Sequence, residues 1–230
     1  MTAFERLFVW LGGALFVASL LYGAFAFLVG WSETGDVARG DVWRAVAVNA
    51  LVFGAFAAHH SVFARASVKA LLAGVFPERL IRSLYVWTAS GLFILAIALW
   101  QPVGGALYQA TGVRAILHAL VQLSGVWLVA RSVGAIDPLE LAGIRREGRR
   151  DALQAGGVYR LVRHPLYLGW MLIVFGAAHM TGDRLAFAAI TSLYIVVAIP
   201  WEERGLERTF GVDYARYRAR VRWRVIPFVY

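Results

Sequence analysis

The amino-acid sequence predicts an all-α fold, a polytopic bundle of about six membrane-spanning helices. Of its 230 residues, 60% are hydrophobic and 16% are charged, against about 25% charged residues in soluble domains. The mean hydropathy is +0.64. Stretches without a formal charge recur along the chain, each near the roughly 20 residues that an α-helix needs to cross a bilayer. A chain of this length does not bury that much apolar surface alone, so lipid must cover part of it.

Uncharged stretches define the predicted spans, and small residues interspersed among the apolar ones favour close helix packing. In chain order they are Leu7–Gly30, Ala45–Ala64, Ser83–Trp100, Ala115–Ala130 with an extension to about Ile136, Pro165–Gly182 and Leu185–Trp201. The first is longer than the apolar core of a signal peptide and precedes Trp31, so we expect an uncleaved span. The chain is therefore predicted to be one membrane domain, with four spans in residues 1–136 and two in residues 137–230.

The basic residues are divided unevenly between the two sides of the membrane. Six spans place both termini on one side, and 19 of the 23 Lys and Arg residues then lie on that side. Because basic residues favour the cytoplasm, we expect both termini to be cytoplasmic. The net charge is +9, but the charges lie between apolar runs. We therefore assign them to topology and to anionic lipid headgroups, and not to nucleic acid.

Two polar clusters flank the last two predicted spans. The run Tyr159–Tyr167 precedes the fifth span, and Glu202-Glu203-Arg204 follows the sixth. A turn signal at Thr181-Gly182-Asp183 lies near the middle of the intervening chain. Two helices that go out and come back would return Glu202 to the same membrane face as His164.

The two clusters together predict a site for a ligand that carries both charges. Pro165 suits the first position of a helix, and the N–H groups of a helix start favour an anion such as a carboxylate. Glu202 complements an ammonium group. An amino acid or a derivative of one would satisfy both. The alternative is an ion-pair network that only ties the helix ends together.

The same clusters resemble the membrane methyltransferases typified by isoprenylcysteine carboxyl methyltransferase and phospholipid N-methyltransferase. Gly157-Val158-Tyr159 followed by Arg163-His164-Pro165-Leu166-Tyr167-Leu168-Gly169 matches GVY…RHPxYxG, and Glu202-Glu203 with Phe210-Gly211, Tyr214 and Tyr217 matches EE…FG…Y…Y. The two halves are correctly spaced over about residues 157–227. No Gly-rich nucleotide loop follows a predicted strand, which argues against a soluble Rossmann-type methyltransferase.

Upstream residues resemble the bacterial methanethiol S-methyltransferase and NnrU-like branch of this superfamily. They are His60-Ser61-Val62-Phe63-Ala64-Arg65, Glu78-Arg79 with Tyr85-Val86, and Leu139-Glu140-Leu141-Ala142-Gly143-Ile144-Arg145. This branch implies S-methylation of a small thiol, such as methanethiol to dimethyl sulfide, in the cytoplasmic membrane of a bacterium. Ala198 stands where the isoprenylcysteine enzymes use an arginine on the substrate carboxylate, which argues against a prenylcysteine acceptor.

The resemblance implies S-adenosylmethionine as the cofactor, bound on the cytoplasmic side. Carried over by position, the cofactor-binding residues are Gln154, Tyr159, Arg163, His164, Pro165, Leu166, Tyr167, Glu202 and Glu203. Glu202 would meet the amino group of the cofactor, and Gln154 lies in a stretch whose backbone contacts the cofactor in the isoprenylcysteine enzymes. The implied partners are a small-molecule or lipid-soluble methyl acceptor and the membrane lipids.

His60 is the candidate catalytic base. A thiol must ionise before it attacks a methyl group, and histidine is a suitable base near neutral pH. A histidine that is hydrogen-bonded between helices is the alternative. His59 and His60 point about 100° apart on a helix, so they make a poor metal pair and no metal is expected.

Other functions remain open at the level of sequence. One is a methyltransferase acting on a lipid or an isoprenylcysteine-like acceptor. A second is an NADPH-dependent membrane reductase, because sterol reductases have a similar RHPxYxG stretch. A third is a non-enzymatic NnrU-like membrane protein. The chain has no cysteine, which excludes a disulfide scaffold, a zinc ribbon and a thiol nucleophile.

Overall fold

The computed structural model describes residues 1–33, 35, 37–63, 65–134, 138–145 and 152–230, which belong to two compact units. The first unit comprises Met1–Gly105, Asp137–Gly148 and Thr181–Ala186; the second comprises Ala106–Ile136, Arg149–Met180 and Phe187–Tyr230. The predicted division of the chain after residue 136 lies outside the described residues and stays a prediction.

The described elements are almost all helical. They are α1 Ala3–Leu28, α2 Arg39–Phe63, α3 Ala66–Ala73, α4 Glu78–Ala98, α5 Gly112–Val133, α6 Pro138–Leu141, α7 Pro165–Phe175 and α8 Gly182–Arg220, with 3₁₀ turns at Gly30–Ser32 and Gly157–Arg160. The strands β1 Ala106–Gln109 and β2 His179–Thr181 pair in a two-stranded sheet. The predicted all-α polytopic fold is confirmed.

In the first unit, α1 and α2 pack against α4. Helix α1 begins with a capping box, in which Thr2 and Glu5 each accept the backbone N–H of the other. Gly12 lets α1 approach α4 closely, because a Cβ at this position would lie 2.8 Å from Trp87 Nε1. That indole nitrogen instead donates to Phe8 O at 3.0 Å. The helices therefore meet through small residues on α1 and aromatic ones on α4.

The start of α8 is tied into the first unit by two buried charged side chains. Asp183, 5% exposed, accepts a hydrogen bond from Trp100 Nε1 at 2.8 Å. Arg184, 6% exposed, donates to Phe27 O at 2.7 Å and to Leu28 O at 2.8 Å. These carbonyls belong to the last turn of α1, where helical partners are missing. The pair thus has a structural role.

In the second unit, α5 and α7 cross where two glycines face each other. A Cβ on Gly125 would lie 2.6 Å from Gly169 O, and one on Gly169 would lie 2.8 Å from Gly125 O. Any larger residue at either position would push the helices apart. Helix α8 contains Pro200 and bends at Gly211, whose φ of 49° is favourable only for glycine.

Within the described residues, five helices are long and apolar enough to cross a membrane. They correspond to the first four predicted spans and to the sixth. The fifth predicted span, Pro165–Gly182, differs, because α7 ends at Phe175 after 11 residues, about 16 Å. The chain then passes through Gly176 into β2, and the Ala110 N–H donates to Ala178 O at 2.7 Å. The uncharged run therefore predicted an apolar helix correctly but not the length of that helix.

Candidate functional site

The start of α7 and the acidic pair on α8 come together in the second unit. Tyr167 Oη donates to Glu202 Oε2 at 2.8 Å, although the residues are 35 positions apart. His164 Nδ1 lies 3.7 Å from the same oxygen. The His164 and Tyr167 rings stack with centroids 5.5 Å apart. The predicted meeting of these two clusters is present in the structure.

Glu203 is the buried member of the acidic pair, at 5% exposure. Arg163 Nε donates to its Oε1 at 2.7 Å, and Arg224 Nε donates to its Oε2 at 3.1 Å. His164 Nε2 lies 3.3 Å from Oε1. Burial opposes the charge on Arg224, but Glu203 and Tyr230 raise the pKa of Arg224 above its ordinary value. Both carboxylate oxygens of Glu203 are thus paired with arginine side chains of the protein.

Arg163 connects this network to the chain after α8. Its side chain is buried, and Nη1 donates to the carbonyls of Val221 at 2.9 Å and Arg222 at 2.7 Å. The backbone N–H of Arg163 also donates to Trp223 O at 2.9 Å. A guanidinium with this many partners, one of them a carboxylate, holds a fixed geometry. Arg163 therefore positions the loop that leads into α7.

Glu202 differs from its neighbour because its side chain is 44% exposed. A carboxylate offers about four lone-pair positions, and Tyr167 uses one of them. The remaining positions are open to an incoming ammonium group. Pro165 is buried at the first position of α7, and Leu166 beside it is half-buried. Glu202 is therefore the acidic side chain that suits a cationic ligand.

A cavity of about 290 Å³ lies in the same unit. Ala130, Arg131, Gly134, Gln154, Gly156, Gly157, Val158 and Tyr159 line it. Ligand pockets usually measure about 300–1,000 Å³, so this cavity suits part of a nucleoside-sized molecule. The Tyr159 carbonyl is held by Tyr217 Oη at 2.8 Å. The structure thus brings the predicted residues Gln154 and Tyr159 together at one cavity.

Two residues of the site were not predicted as such from the sequence. Arg131 lines the cavity but lies at the end of an apolar helix. In the sequence, a basic residue at that place indicates only the orientation of the helix in the membrane. Arg224 lies in a tail of alternating Arg and aromatic residues, which indicates a membrane anchor. Its contact with Glu203 in the structure shows its place in the network. The run of basic residues was the only available signal, and it does not single out one position.

His60 lies in the first unit, where it forms a cluster on α2 and α4. Tyr85 Oη is 2.5 Å from His60 Nδ1. The His59 ring stacks on Tyr85 with centroids 5.5 Å apart, and the Arg82 guanidinium lies 5.1 Å from the Tyr85 ring centre. The sequence indicated His60 and, through the resemblance, Tyr85, but not that they are hydrogen-bonded.

Comparisons with known proteins identify a family and several relatives of similar sequence. The family model for phospholipid methyltransferases matches residues 113–213. The methanethiol S-methyltransferase 2 of Bradyrhizobium diazoefficiens is 34% identical over 220 residues, covering 90% of this chain and 84% of that protein. The methanethiol S-methyltransferase of Mycobacterium tuberculosis is 33% identical, and the match covers 91% of this chain and 92% of that protein.

A more distant relative matches only part of the chain. The protein-S-isoprenylcysteine O-methyltransferase B of Arabidopsis thaliana is 37% identical over 92 residues, covering 39% of this chain and 46% of that protein. No solved structure matches the chain at a comparable level of significance.

Proposed function

Because the chain belongs to the membrane methyltransferase family of the methanethiol S-methyltransferases, we propose that it transfers a methyl group from S-adenosylmethionine to a small thiol such as methanethiol. The product would be dimethyl sulfide. The similarity to several methanethiol S-methyltransferases, over 84–90% of this chain and 76–84% of those proteins, favours this acceptor over a lipid or an isoprenylcysteine. The observation that supports the proposal most strongly is the exposed carboxylate of Glu202 beside the start of α7.

The described residues fit this cofactor. Glu202 would accept hydrogen bonds from its ammonium group, with Tyr167 and His164 fixing the carboxylate. Gln154 and Tyr159 would line the cavity for part of the nucleoside. Pro165 and Leu166 would contact the cofactor from the start of α7. When bound, the cofactor supplies an electrophilic methyl group on a sulfonium.

The buried network holds these groups in place. Arg163, Arg224 and His164 surround Glu203, so that the loop before α7 is fixed to α8. Because these groups are positioned before the ligand arrives, little reorganisation is needed on binding. We propose that Arg163 and Glu203 serve the cofactor site in this way, through the residues that they position.

We propose His60 as the base for the thiol. For this role Nδ1 carries a proton and donates to Tyr85 Oη, and the lone pair on Nε2 accepts the proton of the thiol. The resulting thiolate is the nucleophile, and its negative charge would be lost as the new sulfur–carbon bond forms and the methyl–sulfonium bond breaks, with S-adenosylhomocysteine as the leaving group. A poorly solvated site in a membrane favours such a loss of charge.

Isothermal titration with S-adenosylhomocysteine tests the cofactor assignment. Glu202→Gln should weaken binding by about 10- to 100-fold, the value of a hydrogen bond to a charged group. Glu207→Gln is the matched control, since Glu207 lies farther along α8 and pairs with Arg218 at 2.9 Å. Equal affinities for the two variants would contradict the assignment of Glu202. A thermal shift with NADPH but not with S-adenosylmethionine would favour the reductase alternative.

Headspace gas chromatography tests the acceptor. Purified protein supplied with S-adenosylmethionine and methanethiol should release dimethyl sulfide, and the Glu202→Gln variant should release far less. Transfer of a labelled methyl group to membrane lipid without dimethyl sulfide would identify a lipid acceptor. No transfer to any acceptor would favour the non-enzymatic alternative.

A further inference from the structure

The last six residues of the chain form a closed turn, here called the C-terminal turn (residues 225–230). The N–H groups of Val225 and Ile226 donate to Tyr230 O at 2.9 and 3.1 Å, and the Tyr230 N–H donates back to Ile226 O at 3.0 Å. These bonds make the turn a defined piece of structure. It follows the segment that contacts Arg163.

The inner side of the C-terminal turn packs on the apolar part of α8. Val225 is fully buried in a cluster with Ile195 and Ile199, and Tyr230 packs against the same cluster. Ile195 and Ile199 precede Glu202 by seven and three residues, which is about 10 and 4.5 Å along a helix axis. The turn therefore lies beside the membrane-spanning part of α8, beyond the level of Glu202.

The outer side of the C-terminal turn is apolar and exposed. Phe228 is 85% exposed, Val229 73% and Ile226 39%. Phe228 also has a φ of 66°, in the left-handed region that a bulky residue rarely adopts. Exposure of the Phe228 side chain to water costs free energy, whereas contact with lipid removes that cost. On α8, Leu193 and Val197 are exposed at the same level as the inner cluster.

Polar and aromatic residues precede the apolar tip in the order expected at a membrane boundary. Arg220 and Arg222 are exposed, and the Trp223 ring lies 5.4 Å from the Phe228 ring. Arginine and tryptophan are favoured at the headgroup level, next to apolar residues that reach deeper.

We propose that the C-terminal turn is inserted in the bilayer, with Phe228 and Val229 among the acyl chains just below the headgroups. The partner is the lipid itself. The inference rests on the membrane fold and on the contacts of this turn, and it holds whatever the methyl acceptor is. It has a consequence for the site, because Arg224 O accepts the N–H of His164 at 2.8 Å. Lipid contact at the turn thus supports the loop that precedes α7.

A single-cysteine fluorophore scan tests the insertion, and the chain is suited to it because it has no cysteine. Val229→Cys carries an environment-sensitive label in proteoliposomes, and Arg216→Cys is the control, since the Arg216 side chain is 77% exposed. We expect shallow doxyl-lipid to quench the label at 229 at least three-fold more than the label at 216. Aqueous iodide should show the opposite order.

Two outcomes would overturn the proposal. Equal quenching of the two labels by iodide would place the turn in water. Protection of the label at 229 from both quenchers would mean that another protein surface covers it. Circular dichroism of each variant confirms that the fold is retained.

A second variant tests Phe228 itself. Phe228→Gly removes the apolar side chain and suits the positive φ, so the protein should fold. Doxyl quenching of the label at 229 should fall at least two-fold in this background. Unchanged quenching would show that Phe228 does not hold the turn in the bilayer, which contradicts its proposed role.

Discussion

Glu202 and Glu203 are adjacent in the sequence but have opposite environments. Glu203 is buried and surrounded by Arg163, His164 and Arg224, whereas the Glu202 side chain is 44% exposed and bonded to Tyr167. Adjacent residues on a helix point about 100° apart, so one can face a protein network while the other faces a ligand. This difference supports the proposal that Glu203 is structural and that Glu202 binds the ligand.

Replacing each acid by its amide should separate the two roles. Glu203→Gln leaves the charge of buried Arg163 unpaired and should lower the free energy of unfolding by about 3–5 kcal/mol. Glu202→Gln should leave the free energy of unfolding nearly unchanged but should weaken the binding of S-adenosylhomocysteine. Thermal unfolding in detergent measures the first effect. A Glu203→Gln protein as stable as the parent would contradict the structural role.

Replacement of Tyr85 should lower the rate of thiol methylation without changing the affinity for the cofactor. Tyr85→Phe removes the hydroxyl that fixes His60 Nδ1 and should lower thiol methylation about 10-fold, below the full contribution of a general base. Affinity for S-adenosylhomocysteine should stay within about two-fold of the parent value. Tyr22→Phe, on the exposed face of α1, is the control and should be as active as the parent. An equally active Tyr85→Phe would argue against His60 as the base.

At the level of elements, the contact between α5 and α7 positions the site. Helix α7 has only 11 residues, and its first turn contains Tyr167. It is held against α5 by the facing glycines 125 and 169, where no side chain separates the backbones. The end of α5 also supplies Arg131 and Gly134 to the cavity. A shift between these two helices would therefore disturb both the cavity and the start of α7.

Gly169→Ala should show this dependence. Its Cβ would lie 2.8 Å from the backbone oxygen of Gly125, which cannot move as a side chain can. We expect a loss of about 1–3 kcal/mol of stability, as for other overpacked sites, together with weaker cofactor binding. Gly205→Ala is the matched control, because a Cβ there meets nothing within 4 Å. That variant should be neutral or slightly stabilised, since alanine favours helix. Thermal unfolding and titration calorimetry compare the two.

For the whole molecule, the distribution of basic residues predicts the orientation of the protein in the membrane. With the short helix α7 counted as part of one of the six predicted spans, the connecting segments differ greatly in basic content, and 19 of the 23 basic residues are assigned to one side. Basic residues are retained on the cytoplasmic side during insertion. We therefore propose a bacterial cytoplasmic membrane protein with both termini in the cytoplasm.

Membrane-impermeant maleimide labelling of single cysteines tests this orientation. Arg65→Cys and Arg222→Cys should be labelled only after the cells are opened, whereas Arg114→Cys should be labelled in intact cells. The three side chains are exposed, so accessibility depends on the side of the membrane. Labelling of Arg222→Cys in intact cells would contradict the cytoplasmic position of the C-terminus.

The sequence alone determined the membrane-embedded helical fold, the approximate spans and the two polar clusters of the site. These depend on local properties: the length of uncharged runs, the position of Pro165 and the RHPxYxG and EE patterns. Only the tertiary structure decided that α7 ends at Phe175, that Glu203 is satisfied by Arg224, and that Tyr85 holds His60. Each of these depends on contacts between residues far apart in the chain. A side chain's neighbours, and not its type, decide whether it is buried with a partner or open to a ligand.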